Sequence, residues 1–445
     1  MARTFFSAEL TQWIKRLSAL LHQANAWRLT PLLWGMLFSR GRRTVACWLR
    51  TAELGDDYQD YYYFLGSLGG NVKWVAGSLL QLAARVICPG ERMLFAIDDT
   101  PTKRYGKHVE GAGIHHNPTP GPAEQKYLYG HVWVTLAWVM RHARWGTIGL
   151  PILAFLYVRR VNLGSMAPWY KVKFETKLEQ AAALAEWVAY SVHALGKKLW
   201  IVVDGAYLKK PFLKRALKAG ATVVGRLRKD AALWSVPQIV EPGRRKRGRP
   251  RKYGKDRISL AKRAGHRRGW SWDTFTLYRK TGQVCYKTFE ATYEPACGLI
   301  RVVIVRETDG SWRAYCCTDV NATVAEILEA VVDRSAIEQV FHDIKEVHGA
   351  GQQQVRNYWA NIAVYHLTIW LHTLIEVWSW HKPKHELVDR SASPWDDVTR
   401  RPSHADRRNA LRRQCLQGEF AHEAAARGLK TKLLRVLDHL MKLAA

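Results

Sequence analysis

No two of the seven cysteines (Cys47, Cys88, Cys285, Cys297, Cys316, Cys317 and Cys415) have C-x-x-C spacing, and their number is odd. Both facts argue against a disulfide framework, and they leave a structural zinc site unexpected. A reducing cytosol suits such a chain. The first residues, Met1 to Glu9, lack the apolar core of a secretory signal. The Walker pattern is also missing, since Gly106, Gly111, Gly113 and Gly121 do not form a phosphate-binding loop. The most apolar stretch, Ile362 to Trp380, is interrupted by His366, His372 and Glu376, which makes it a buried core helix and not a membrane span. Acids are scarce: 38 Asp and Glu stand against 68 Lys and Arg, a formal charge of +30. That excess is beyond what solubility requires and points to a polyanionic partner. The positive charge is spread along the chain, which favours nucleic acid over an anionic membrane.

What is present is a folded chain of 445 residues, 48% apolar and 24% charged, long enough for roughly two to four domains. Residues 1–90 read as helical. Leu17, Leu20, Leu21 and Trp27 suggest one helix, and Pro31 to Met36 opens another. Gly41 to Arg50 has the pattern of a turn and a basic helix, as in a helix-turn-helix module or an ordinary helical bundle. From Arg92 the pattern turns to strands: Met93–Ile97, Tyr129–Val139, Ile148–Val158 and Leu199–Val203 are apolar runs rich in β-branched or aromatic residues. Helical segments over Lys173–Leu195 and Pro211–Ala219 alternate with them, which predicts a layered α/β core. Residues 91–228 are therefore the first part of this α/β core, and 229–322 a β-rich basic insertion. The second part of the core spans 323–385, and 386–445 form a basic helical C-terminal region.

The segment Arg334 to Lys345 carries the most chemistry. At about 100° per residue, Arg334, Glu338, His342 and Lys345 share one helical stripe, while Ile337, Val340, Phe341 and Ile344 form a packing face. A helix with intrahelical ion pairs is the plainer reading of that segment alone. Upstream, however, two apolar strands each end in an acid, Asp99 and Asp204, the place where functional groups collect in α/β sheets. Three carboxylates in a basic protein suit two hard cations, Mg²⁺ or Mn²⁺, that activate a hydroxyl and stabilise a leaving oxygen in phosphoryl displacement.

With those residues in view, the chain resembles the DDE transposases of bacterial insertion sequences, in particular the cut-and-paste group with a β-rich insertion. The family's catalytic helix carries Tyr, two residues, Arg, three residues, Glu, six residues, Lys. Arg334, Glu338 and Lys345 fit that spacing, and Val331 stands at the Tyr position. Ile97-Asp98-Asp99-Thr100 is similar to the first-acid strand and Val203-Asp204-Gly205 to the second. The resemblance covers about residues 90 to 380. It implies an RNase H-like mixed sheet flanked by helices, with Asp99, the acid before Thr100, joined by Asp204 and Glu338 as catalytic ligands for two Mg²⁺ or Mn²⁺ ions. Asp98 is the less favoured of the adjacent acids. The resemblance further implies cleavage at terminal inverted repeats, strand transfer into target DNA, a homodimer in the synaptic complex, and a place at the bacterial nucleoid. Arg334 and Lys345 would hold phosphates, Arg bidentately and Lys as a point charge. Two other classes fit less well: a DNA-binding protein that has lost catalysis, and a two-metal nuclease without strand transfer.

Further signals point to DNA. Lys246 to Lys252, with Arg247, Arg249, Arg251 and Lys252, resembles an AT-hook thin enough for a narrow minor groove; a basic loop on backbone phosphates is the alternative. In relatives of this kind an insertion tryptophan stacks on a flipped base. Trp312 lies near that place, with Trp270 and Trp272 as competitors and a core role as the plainer reading. His115 and His116 have no third ligand at metal spacing and read as loop residues touching DNA.

Overall fold

The computed structural model describes residues 6–117, 125–237, 251–277, 280–391 and 393–427. Its centre is a mixed sheet whose first half contains β1 (Arg92–Lys103), β2 (Gly113–His116), β3 (Tyr127–His142), β4 (Gly146–Tyr157), β5 (Lys198–Val203) and β6 (Thr222–Leu227). β3 lies antiparallel to both β1 and β4, with the short β2 paired to its first residues. β5 runs parallel to β1, and β6 parallel to β5. An antiparallel meander followed by two parallel strands beyond the first is the mixed, RNase H-like arrangement that the sequence led us to expect.

The β-rich segment does not stand apart from this sheet. It supplies β7 (Leu233–Trp234), β8 (Arg257–Ile258), β9 (Ser271–Leu277), β10 (Lys280–Tyr293), β11 (Gly298–Arg306) and β12 (Trp312–Cys317). β12 pairs antiparallel with β6, and β11 and β10 follow outward. An exposed edge of β6 would present a row of unpaired backbone groups, and β12 satisfies them. One sheet of twelve strands results.

Helices cover both faces. On one, Trp133 of β3 stacks on Tyr365 (centroids 4.0 Å apart, planes 5° apart), and Thr135 shares a hydrogen bond with the Tyr365 hydroxyl at 3.1 Å. Tyr365 belongs to the buried helix Tyr358–Ser379. The helix Ser335–Glu346 packs beside it against β4, so closely that a side chain at Gly149 would press into Val340. On the opposite face lies the helix Lys177–Ala194, started by a Thr176–Glu179 capping box.

The N-terminal helices, among them Ala8–Ser18, Leu29–Phe38 and Val45–Thr51, lead into the 30-residue helix Tyr58–Ile87. The last packs along Tyr358–Ser379, and only a glycine at position 69 fits beneath the Trp359 carbonyl. The basic helix His404–Arg427 returns to this layer, where Arg408 donates to the Leu37 carbonyl oxygen at 2.6 Å. Among the described residues no helix is long and apolar enough to cross a membrane. Most of the Lys246–Lys252 segment, including Arg247 and Arg249, lies outside the described residues, as does Leu429 to Leu443.

Candidate active site

Register decides which acids can meet. β1 and β5 are parallel and in step through Ile97 and Val203, so the next residues, Asp98 and Asp204, stand side by side where β5 ends and β1 runs on to Lys103. Successive side chains on a strand alternate between faces. Asp98 is opposite Thr135 on β3, on the face covered by Tyr365. Asp99 therefore points the other way.

The helix Ser335–Glu346 lies on the Asp98 side. Its approach is set by Asp333, buried just before it, which accepts from Arg141 Nε at 2.8 Å and from Thr147 Oγ1 at 2.7 Å in the β3–β4 hairpin. The next residue, Arg334, divides its guanidinium between two acids. Nη1 donates to Asp98 Oδ2 at 2.8 Å, and Nη2 to Glu338 Oε1, one helical turn on, at 2.9 Å. Asp98 Oδ1 accepts the Asp99 backbone N–H at 2.9 Å. Burial raises the Asp98 pKa to about 6, against the pull of Arg334 and with added repulsion from Asp99 and Asp204. Asp204 is exposed, and the Glu338 side chain is 60% exposed.

Asp99, the acid that the resemblance favoured, does not share this environment. Its Oδ2 accepts from Lys177 Nζ at 2.6 Å and its Oδ1 from the Tyr207 hydroxyl at 2.8 Å. Both partners lie on the opposite side, at the start of Lys177–Ala194 and in the turn after β5. Burial, reinforced by Asp99, pushes the Tyr207 pKa far up, so the phenol stays protonated and donates. The Asp99 carboxylate is thus held by two donors of its own. The alternation of β1 sends the two acids to opposite faces, but which face the Glu338 helix covers is set by the fold. Lys177, Tyr207 and Asp333 had no comparable signal, because each acts through a partner distant in sequence.

Of the other expected residues, Lys345 is half-buried in the last turn of the Glu338 helix, and His342 is exposed with Nδ1 3.2 Å from Asp343 Oδ1. Arg251 and Lys252 are exposed. Trp312 is half-buried against the core, with Lys229 Nζ 5.1 Å from its ring centroid, whereas Trp272 is 62% exposed. An open groove of about 860 Å³ runs past Glu338, bordered by Arg141, His342, Arg401 and Thr276.

Two acids in register on neighbouring parallel chain segments, beneath a helix that contributes a third, define a class of phosphoryl-transfer fold. The chain belongs to the DDE superfamily endonucleases: that family's model matches residues 16–282, well over half of the sequence. Glu338 lies beyond the matched residues. Among solved structures, a piggyBac transposase synaptic complex with hairpin DNA is similar at 10% identity, with 98% of this chain and 83% of that chain covered and a TM-score of 0.38. No curated protein matches the chain.

Proposed function

We propose that this endonuclease is a transposase that binds the terminal inverted repeats of its own element, cleaves them and joins them to target DNA. The observation that carries the proposal is the register of Asp98 with Asp204, together with the Arg334 link from Asp98 to Glu338. In this reading the ligand set is Asp98, Asp204 and Glu338, and Asp99 is a positioning residue. The donor set fits hard divalent ions: it is all carboxylate, and Asp98 is a half-buried acid whose ionisation is opposed by neighbouring carboxylates. Mg²⁺ or Mn²⁺, two per site, would supply Lewis-acid activation of a water or 3′-hydroxyl and stabilise the departing oxygen.

The protein's own groups do the rest. Arg334 now neutralises two of the acids, and its planar, always-charged fork suits a phosphate equally well. Arrival of the DNA backbone lets it exchange a carboxylate for a phosphate oxygen. Lys345, seven residues along the same helix from Glu338, adds a point charge toward that backbone. Tyr207 and Lys177 fix Asp99, and through the shared strand they hold the Asp98 backbone in place. Arg247, Arg249, Arg251 and Lys252 would grip DNA away from the chemistry, with Trp312 or the more exposed Trp272 available for base stacking. Two protomers would act together, since two ends must be processed, at the nucleoid of a bacterial cytoplasm.

The test is to incubate the full chain and Mg²⁺ with DNA spanning the borders of its reading frame. Site-specific nicks, followed by joining of pre-cut ends to a plasmid, are expected. Cleavage without joining would make the protein a nuclease only, and binding without cleavage would make it a DNA-binding protein that has lost catalysis.

A further inference from the structure

A second cluster of ligand-type side chains lies outside the carboxylate site, on the far side of the Glu338 helix. Asp343, His372 and His404 are buried, and one ligand atom from each falls within a common 4.8 Å. They come from three separate helices: Ser335–Glu346, Tyr358–Ser379 and His404–Arg427. His348, also buried, brings its Nε2 to 2.7 Å from His404 Nε2.

The hydrogen bonds around these groups leave lone pairs aimed inward. His404 Nδ1 is 2.6 Å from Glu376 Oε1 and carries the proton, so its Nε2 accepts from His348 Nε2, a hydrogen bond that an ion would replace as His348 Nε2 gives up its proton. A carboxylate behind an imidazole in this manner fixes the ring and raises the basicity of its other nitrogen, the usual support of a metal-binding histidine. Asp343 Oδ1 is taken by Gln339 Nε2 at 2.9 Å and His342 Nδ1 at 3.2 Å. Its Oδ2 faces His372 Nε2 at 3.8 Å. His372 Nδ1 is buried without a hydrogen-bond partner, a cost that a buried site seldom carries without cause, while Glu376 Oε2 is ion-paired with Arg407 Nε at 3.4 Å. A cavity of about 340 Å³, bordered by Thr147, Gln339, Ser403 and Arg407, reaches the cluster and gives an ion a way in.

We infer that Asp343, His372 and His404, with His348 as a fourth ligand, form a binding site for a borderline divalent cation of the Zn²⁺ type. Imidazole nitrogens with one carboxylate oxygen suit Zn²⁺ and not Mg²⁺, so the two sites would select different ions. Around a tetrahedral ion with bonds of about 2.0–2.1 Å, ligand atoms stand roughly 3.3 Å apart, within a small side-chain adjustment of the separations seen. The rings of His372 and His404 are stacked (centroids 4.0 Å, planes 15° apart), and binding requires one of them to rotate about its Cβ–Cγ bond. The ion would tie the helix bearing Glu338 and Arg334 to the core and to the C-terminal helix. Its role is structural, and it does not depend on the transposase reading.

The test uses the full chain, stripped with a chelator and then titrated with Zn²⁺ against a chromophoric competitor. Expected are one Zn²⁺ per chain, a tetrahedral absorption spectrum with Co²⁺, and a higher thermal midpoint with Zn²⁺. Asp343→Asn, which keeps the side chain's shape, and His372→Gln should each weaken Zn²⁺ binding by about 100-fold or more. Asp98→Asn should bind Zn²⁺ as the wild type does. If His372→Gln fails to fold, Asp343→Asn alone decides. The inference is overturned if the wild type takes up no Zn²⁺, if Asp343→Asn binds it undiminished, or if Asp98→Asn abolishes binding.

Discussion

Replacing Asp98 by Asn should make the metal-free protein more stable while it destroys cleavage. The folded chain holds the Asp98 proton up to a pH of about 6, against an ordinary value of 3.8, chiefly because burial disfavours the anion. Between those two values the folded state binds the proton and the unfolded state does not, so stability falls as pH rises through that window. The difference of about two pH units, at roughly 1.4 kcal/mol each, makes ionised Asp98 cost the native state about 3 kcal/mol at pH 7.5. Asn keeps the size and removes the charge. In EDTA at pH 7.5, thermal or urea unfolding should show Asp98→Asn more stable by up to that amount, with the gain shrinking toward zero near pH 4. Adding Mg²⁺ should stabilise the wild type and leave the variant unmoved, because a bound cation favours the folded state only where it binds. An Asp98→Asn protein less stable than wild type at pH 7.5, or a difference independent of pH, would refute this reasoning.

Arg334→Ala should slow Mg²⁺-dependent cleavage about 100-fold, the scale of losing one charge-stabilising donor. Arg334→Lys should recover only part, since a point charge does not bridge two carboxylates; full recovery would show that charge alone matters. Asp333→Ala leaves Thr147 without this acceptor and Arg141 with only Glu329, and should destabilise the protein by roughly 1–3 kcal/mol in urea titrations. An unchanged midpoint would show that the helix is held without it. Deleting Arg244 to Lys252 should weaken DNA binding and flatten the dependence of log K on log salt by about one unit per phosphate that the segment neutralises. An unaltered slope would place that segment off the DNA.

Much of the architecture was legible because it is written in local pattern. Short apolar runs such as Met93–Ile97 and Leu199–Val203 read as buried strands, and the stripe from Arg334 to Lys345 reads as a helix, as the structure has them. Two features were not legible, for different reasons. Asp98 and Asp99 are chemically identical neighbours, and only knowledge of which sheet face the Glu338 helix covers tells them apart. The continuity of β12 with β6 depends on edge pairing between segments some ninety residues apart, which no window of sequence reports. The Asp343–His372–His404 cluster was hidden for the same reason: its members are spaced by tens of residues and belong to helices that read individually as core or surface. The identification of Lys177 and Tyr207 as holders of Asp99 also required the fold.

The most direct measurement compares Asp98→Asn and Asp99→Asn side by side for Mg²⁺-dependent cleavage of DNA from the element's borders. Asp98→Asn should be inactive at every Mg²⁺ concentration. Asp99→Asn, which loses only the support of Lys177 and Tyr207, should stay within about tenfold of wild type, a cost near 1.4 kcal/mol. The opposite ranking, with Asp99→Asn dead and Asp98→Asn active, would contradict the assignment of Asp98, Asp204 and Glu338 as the acids that hold the metals.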